Sequence, residues 1–254
     1  MGLFKNTLAR VLGIGGTRID TKLEKTEYQA GERVKGELYI KGGRVKQELD
    51  SVFLHVMTEY QVESNDKIIN KNGTLQKFIV SVDRIINANE EVVIPFFFTL
   101  SENTPVSLHK SHIWIKTHLE IEKAVDQYDA DGVQVVPSVG LKTVIQALQE
   151  EGFVLRDSEN KKKYGKIIQE FEFYPMNGEF RGKLEEVEVN YLSFDKTVDI
   201  ILQLNQRQKE SNSKFSKLFG TDENNVRISF SKDHITDKDF VRKSVVNAIK
   251  RHVK

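Results

Sequence analysis

The apolar positions along this chain recur with two different periods. Residues 3–12 place Leu3, Phe4, Leu8, Val11 and Leu12 at helical spacing, and the Gly13-Ile-Gly-Gly16 stretch predicts the end of that helix. From Thr17 onward the period is two. Ile19, Thr21 and Leu23 alternate with Arg18, Asp20 and Lys22, and Val34, Gly36, Leu38 and Ile40 form the next such run. In residues 51–62, Val52, Leu54, Val56, Thr58, Tyr60 and Val62 share one strand face. Phe53, His55 and Met57 make the other face apolar until Glu59 and Gln61, so this strand is expected to be covered on both sides at one end. Asn70-Lys-Asn-Gly73 predicts a turn, and strands are expected over 75–82, 92–100 and 113–121.

Asp126–Gly132 is acidic and predicts a turn between domains, followed by Pro137. Residues 138–151 then put Leu141, Val144, Ile145 and Leu148 on one helical face, with Gly152 just past the end. Residues 156–165 are dense in charge and predict a loop. Alternation resumes over 166–174, and further strands are expected near 179–183, 186–194, 197–204 and 226–230, with a polar loop at 209–217. Residues 237–254 predict a closing helix capped by Thr236 or Asp237. Val241, Val245 and Ile249 line one side of it, and Arg242, Lys243, Lys250 and Arg251 the other. Many short strands separated by turns point to an all-β fold of two antiparallel β-sandwich domains. The expected division is 1–131, 132–235 and a terminal helix over 236–254.

Composition narrows the chemistry. The chain has 254 residues and no Cys, which removes disulfides, thiolate zinc sites, iron–sulfur clusters and a Cys nucleophile. Absence of Cys also suits a reducing cytosol, the expected location. Lys and Arg number 38 against 37 Asp and Glu, so no overall basic field implies nucleic-acid binding. The densest apolar run, Val92–Leu100, is broken by Pro95 and is far short of the roughly 18 residues of a spanning helix. The amino terminus lacks the apolar core of a secretory signal, and Asn6 stands where a myristoylation signal wants Ser or Thr.

No catalytic constellation stands out. His109 and His112 fall on opposite strand faces, and His112 and His118 would lie about 20 Å apart at roughly 3.3 Å per residue, so no shared metal ion is expected. Asp129, Asp131 and Gly132 partly match a calcium loop, but Gln127 and Ser138 occupy ligand positions that need carboxylates. Gly13-Ile-Gly-Gly16 lacks the Lys-Ser/Thr ending of a phosphate loop. Catalytic, cofactor and metal sites are therefore all expected to be none. Candidate partner-binding residues are Trp114, placed by the alternation on a polar strand face, the basic run Lys161, Lys162 and Lys163, and the last helix with Phe240, Val241, Val245 and Ile249. The bland alternatives are a core-covered tryptophan, a solubilising loop and a helix packed on its own domain.

Leu23-Glu-Lys-Thr-Glu-Tyr-Gln-Ala-Gly-Glu-Arg-Val-Lys-Gly-Glu-Leu38 resembles the opening of an arrestin-type domain, and His112–Glu122 followed by Val133–Pro137 resembles its end. Gly13–Thr17, Leu23-Glu-Lys25, Tyr39–Gly43, Leu54–Tyr60 and Ile94-Pro-Phe96 are similar to the sporulation-control protein family of bacilli. The resemblance implies two arrestin-like sandwiches and a non-enzymatic, cytoplasmic regulator acting through other proteins, in sporulation or in cell-cycle and stress physiology. Exposed strand edges offer the contact, and a homodimer would use the same edges. A peripheral membrane or polyanion binder using the basic terminal helices is the second reading, and a hydrolase or carbohydrate-binding sandwich the third.

Overall fold

The computed structural model describes residues 16–64, 67–119, 127–163, 165–206 and 225–253. The helix expected over 3–12 and the loop expected over 209–217 lie outside the described residues. The chain forms two compact units that are interleaved in sequence. One comprises 1–59, 72–104 and 112–135, and the other 60–71, 105–111 and 136–254.

The first unit is built from strands β1 (Arg18–Leu23), β2 (Glu27–Gln29), β3 (Arg33–Lys41), β4 (Gln47–Ser64), β5 (Lys67–Ile86), β6 (Glu91–Thr99), β7 (Ile113–Leu119) and β8 (Gln127–Val136), except that residues 60–71 of β4 and β5 and Val136 belong to the second. One sheet has the order β1-β3-β6. In the other, β4, β7, β8 and β2 lie side by side and β5 pairs with β4. Alternation decides which side chains fill the space between the sheets. Val34, Leu38, Ile40, Phe96 and Phe98 come from the first, and Val52, Leu54, Val56, Ile115 and Leu119 from the second, all buried. Phe78 of β5 stacks on Phe98 at 4.4 Å between centroids. Gly36 sits where a Cβ would come within 2.6 Å of the Lys22 carbonyl and 2.7 Å of the Phe96 ring, so only glycine allows this close approach.

Polar groups also join the two sheets. The Thr21 and Thr117 hydroxyls lie 2.5 Å apart, and the Thr21 amide donates to the Asp129 carboxylate at 2.8 Å. The acidic stretch expected as an interdomain turn is thus largely strand: Gln127–Val133 pair with β7, and Asp129 and Asp131 point inward beside β1. Extended backbone gives no calcium-loop geometry. The turn expected at Asn70–Gly73 is also strand, because β5 runs unbroken from Lys67 to Ile86.

The second unit holds the antiparallel order β13-β12-β11-β10-β9, from β9 (Phe153–Lys163), β10 (Lys166–Pro175), β11 (Leu184–Ser193), β12 (Thr197–Gln206) and β13 (Asn225–Ser231). Gln61, near the end of β4, joins Lys161 of β9 in parallel. Helix α1 (Val139–Glu150) starts at Ser138, whose hydroxyl accepts the Leu141 amide. Helix α2 (Lys238–His252) starts at Asp237, whose carboxylate accepts the Phe240 amide. The helices pack on each other, α1 also on β9 and α2 on β13. A Cβ on Gly140 would meet the Tyr191 hydroxyl at 2.5 Å, so this glycine sets how closely α1 approaches.

Residues 156–163, expected as a loop, are strand. Asp157, Glu159, Lys161 and Lys163 line one side of β9, while the buried positions of the other side are the small polar Ser158 and Asn160. These have a structural task. Ser158 donates to the Leu108 carbonyl at 3.1 Å, Asn160 to the Ser111 hydroxyl at 3.0 Å, and Gln169 clasps Val106 through its amide and carbonyl. That is how segment 105–111 is tied to this unit. The strand expected at 179–183 is instead a pair of turns, with positive φ at Gly178 and Gly182 around the buried Phe180.

Candidate interaction surface

The outer face of β4, β7 and β8 is ordered by register into rows across the three strands. Phe53, His118 and Tyr128 form one row, His55, Lys116 and Ala130 the next, and Met57, Trp114 and Gly132 the third. None of these side chains is acidic. Their inward neighbours Leu54, Val56, Ile115 and Val133 are buried, so the backbone under this face is held by the core.

Contacts within the face are aromatic and cationic. The Phe53 and His118 rings lie 6.2 Å apart in a tilted arrangement. The Lys116 ammonium stands 5.4 Å from the centre of the half-exposed Tyr128 ring, a cation–π contact. Trp114 is half-buried between Met57 and Gly132. A Cβ on Gly132 would meet no atom within 4 Å, so the position across from the indole is open. Burial lowers the His55 pKa, and the charges of Lys77, His118 and Lys116 lower it further. Two lysines and a second imidazole therefore act on His55, and one of the lysines, Lys77, belongs to β5.

β5 pairs with β4 alone in the described sheets, which leaves it as an edge. Within residues 72–86 that edge carries Ile79, 65% exposed, and Ile85, 52% exposed. An exposed apolar edge is a template for a further strand. Asp83 there has φ +44°, a local departure from strand geometry of the kind that ends pairing.

The other sequence-predicted residues have different settings. Lys161 and Lys163 both donate to the Glu170 carboxylate, itself 2% exposed, while Lys162 faces solvent on the other side of β9. Burial works against the Glu170 charge, but the two lysines outweigh it and hold its pKa down. Two amines of the basic run are thus committed within the unit. Val241, Val245 and Ile249 are buried in the second unit, because α2 turns its apolar side to α1 and β13. That places them in the core and takes them off any docking surface. Phe240 is half-exposed and meets Phe230 edge-on at 6.0 Å. On the basic side of α2, Arg242 pairs with Glu151 at 2.7 Å and Lys250 with Glu179 at 2.6 Å. An open pocket of about 680 Å³ in the second unit is lined by Tyr174, Met176, Arg181, Leu184 and Glu185 among others. Glu185 alone of its lining bears a carboxylate, so the opposed pair a glycosidase needs is not built there. No helix among the described residues is long and apolar enough to cross a membrane.

Residues 4–208 match the family model Spo0M, described as SpoOM protein. The chain belongs to the Spo0M family. Over 244 residues it is 30% identical to the sporulation-control protein Spo0M of Bacillus subtilis strain 168, covering 94% of each chain. The crystal structure of Spo0M from Bacillus subtilis superposes with a TM-score of 0.83 at 27% identity, covering 94% of this chain and all of that one. The all-β, antiparallel fold expected from the alternation is therefore the fold of a sporulation-control family, and the relative is a sporulation-control protein. Sequence reasoning picked out Trp114 but missed Lys77, His55 and Lys116 on the same sheet. Alternation places each of them on an outward strand position, and the register between strands puts them on one face with Phe53 and Trp114.

Proposed function

We propose that this protein is a non-enzymatic, arrestin-like regulator that works by binding other proteins in sporulation control or stress physiology. The docking element is the free edge of β5 over residues 72–86, together with the Trp114 face beside it. The observation that carries this reading is an edge unpaired among the described residues, with Ile79 and Ile85 exposed above a core-held sheet. A partner segment added to that edge gains backbone hydrogen bonds, and the exposed side chains of β5 itself, Lys77 and Ile79 among them, meet its side chains.

In-cell photocrosslinking tests it. A crosslinker at position 79 is expected to capture a discrete protein. The same group at Val139, 56% exposed in the second unit, serves as control. Ser81→Pro, which removes a backbone donor from the strand, is expected to abolish capture. Capture at position 79 no greater than at 139 overturns the assignment of the edge.

A further inference from the structure

The geometry points to an acidic amphipathic helix of a partner protein lying on the outer face of β5, β4, β7 and β8, its apolar stripe along the β4–β7 seam and its carboxylates on Lys77 and Lys116. This rests on the docking role proposed above and adds the partner's chemistry, but it needs the sheet face and not the free edge. Phe78 points inward onto Phe98 at 4.4 Å, so its neighbours Lys77 and Ile79 point outward beside β4. Along the seam, Phe53, Met57, His118 and Trp114 form a strip of rings and a thioether. From Phe53 to Met57 it runs roughly 13.5 Å at 3.4 Å per strand residue, the length of about nine helical residues at 1.5 Å each. Ammonium groups flank it. Lys77 stands on the β5 side, and Lys116, rooted in β7, leans over the Tyr128 ring of β8 at 5.4 Å. Their strands are two spacings apart, roughly 10 Å, about the width of a helix.

Beside the indole the face is open. Ala130 and Gly132 are exposed, and a Cβ on Gly132 would meet no atom within 4 Å, so a large apolar residue of the helix can settle there against Trp114. Charge selects the occupant. The three rows hold no carboxylate, so Asp or Glu on the helix flanks is attracted and Lys or Arg repelled. The same rule disfavours this chain's own amphipathic segments: residues 3–12 carry Lys5 and Arg10 without an acid, and α2 ends in Lys250 and Arg251. Phe53, Met57 and Trp114 are half-buried within the sheet, which suits a packed helix and leaves little to insert into a bilayer.

Trp114 is the sole tryptophan of the chain, so its emission reports directly on this face. The full chain is titrated with a hydrocarbon-stapled helix of about fourteen residues, Leu at i, i+4, i+7 and i+11 and Glu on both flanks, and with its Gln and Lys counterparts. The Glu helix is expected to shift the Trp114 emission and bind at least tenfold more tightly than the Gln helix at low salt, and the Lys helix should not bind. Raising NaCl to about 0.5 M should remove most of the difference between the Glu and Gln helices, because exposed charges are screened. Lys116→Glu should weaken the Glu helix at least tenfold. Gly132→Leu, which fills the open position beside the indole, should weaken the Glu and Gln helices alike while leaving the urea midpoint unchanged. Should Lys116→Glu fail to fold by circular dichroism, Lys116→Gln carries the same comparison with a smaller expected loss.

Equal affinity for the Glu and Lys helices, no effect of Lys116→Glu or Gly132→Leu, or no shift of Trp114 with any helix overturns the inference. Were position 79 then still to capture a protein in cells, and Ser81→Pro to abolish that capture, the docking edge would stand without this occupant. Were position 79 to capture nothing, the docking role would fall as well. Phosphatidylglycerol vesicles that bind more tightly than the Glu helix, with the same dependence on Lys116, overturn the inference in favour of a membrane, and a single-stranded DNA oligonucleotide that does so overturns it in favour of a nucleic acid.

Discussion

Replacing Asp131 with Asn should make the protein more stable at alkaline pH. Asp131 lies on the inward side of β8, and its Oδ2 is buried without a hydrogen-bond partner. Burial first, and then the charges of Asp129 and Asp20, push its pKa from the ordinary 3.8 up to about 7. Between those two values the folded protein holds a proton that the unfolded chain has lost. Stability is therefore greatest at the acidic end and falls as pH rises toward 7. The rise is equivalent to about 4 kcal/mol at roughly 1.4 kcal/mol per tenfold change in proton affinity. Water reaches part of the side chain and screens these charges, which leaves about 1–2 kcal/mol. An amide mimics the protonated carboxyl and can donate to Asp129, which already accepts the amides of Thr21 and Ala130 at 2.8 Å. Urea denaturation of both proteins at intervals from pH 4.5 to 8.5 is the assay, read as the difference between them so that other titrating groups cancel. Asp131→Asn should match the native protein near pH 4.5 and exceed it by about 1–2 kcal/mol above pH 7.5. A difference that is flat with pH, or that favours the native protein at pH 8.5, refutes the argument.

Other substitutions probe the remaining supports. Glu170→Gln should cost about 1–3 kcal/mol at pH 7, and the loss should shrink on acidification, because the depressed Glu170 pKa contributes stability that disappears as pH falls below the carboxylate range. Its pH dependence is opposite in sign to that of Asp131, and parallel urea series check both. Gly140→Ala should destabilise by about 1–3 kcal/mol, measured as a lower urea midpoint, because the new methyl meets Tyr191 and Ile235. Ile249→Ala should cost about 2–5 kcal/mol while leaving native Trp114 emission unchanged, as expected for an interior residue of the second unit.

Period-two alternation made β3, β4, β6, β7 and β12 legible, because each pairs a buried face with a wetter one. Ser138, Asp237 and the spacing of Leu141, Val144 and Leu148 did the same for the two helices. β9 was not legible. Its inward positions include Ser158 and Asn160, which bond segment 105–111 in place of filling an apolar core, so no hydrophobic period exists to read. Asn70–Gly73 has turn composition but gains backbone partners on β4, and pairing outweighs propensity there. At 179–183 the reverse holds: Phe180 is buried as a strand residue would be, yet the flanking glycines turn the chain. The interaction surface was half legible. Trp114 stood out by its place in the alternation, but its assembly with Lys77 and His55 depends on cross-strand register between distant segments, which local pattern does not encode.

The interleaving of the two units sets a schedule for synthesis. Segment 105–111 emerges from the ribosome some 50 residues before Ser158, Asn160 and Gln169, the side chains that tie it down. At about 5–20 residues per second that wait is several seconds, and α2 follows only after roughly 70 more residues have been made. During that interval the nascent first half holds two strips of backbone without their partners, and a holding chaperone has time to engage them. The same arrangement makes the halves poor modules. A fragment beginning at Val136 would lack residues 60–71 and 105–111, leaving Ser158, Asn160 and Gln169 facing nothing, so gene fusion or recombination at the midpoint should yield a second half that does not fold.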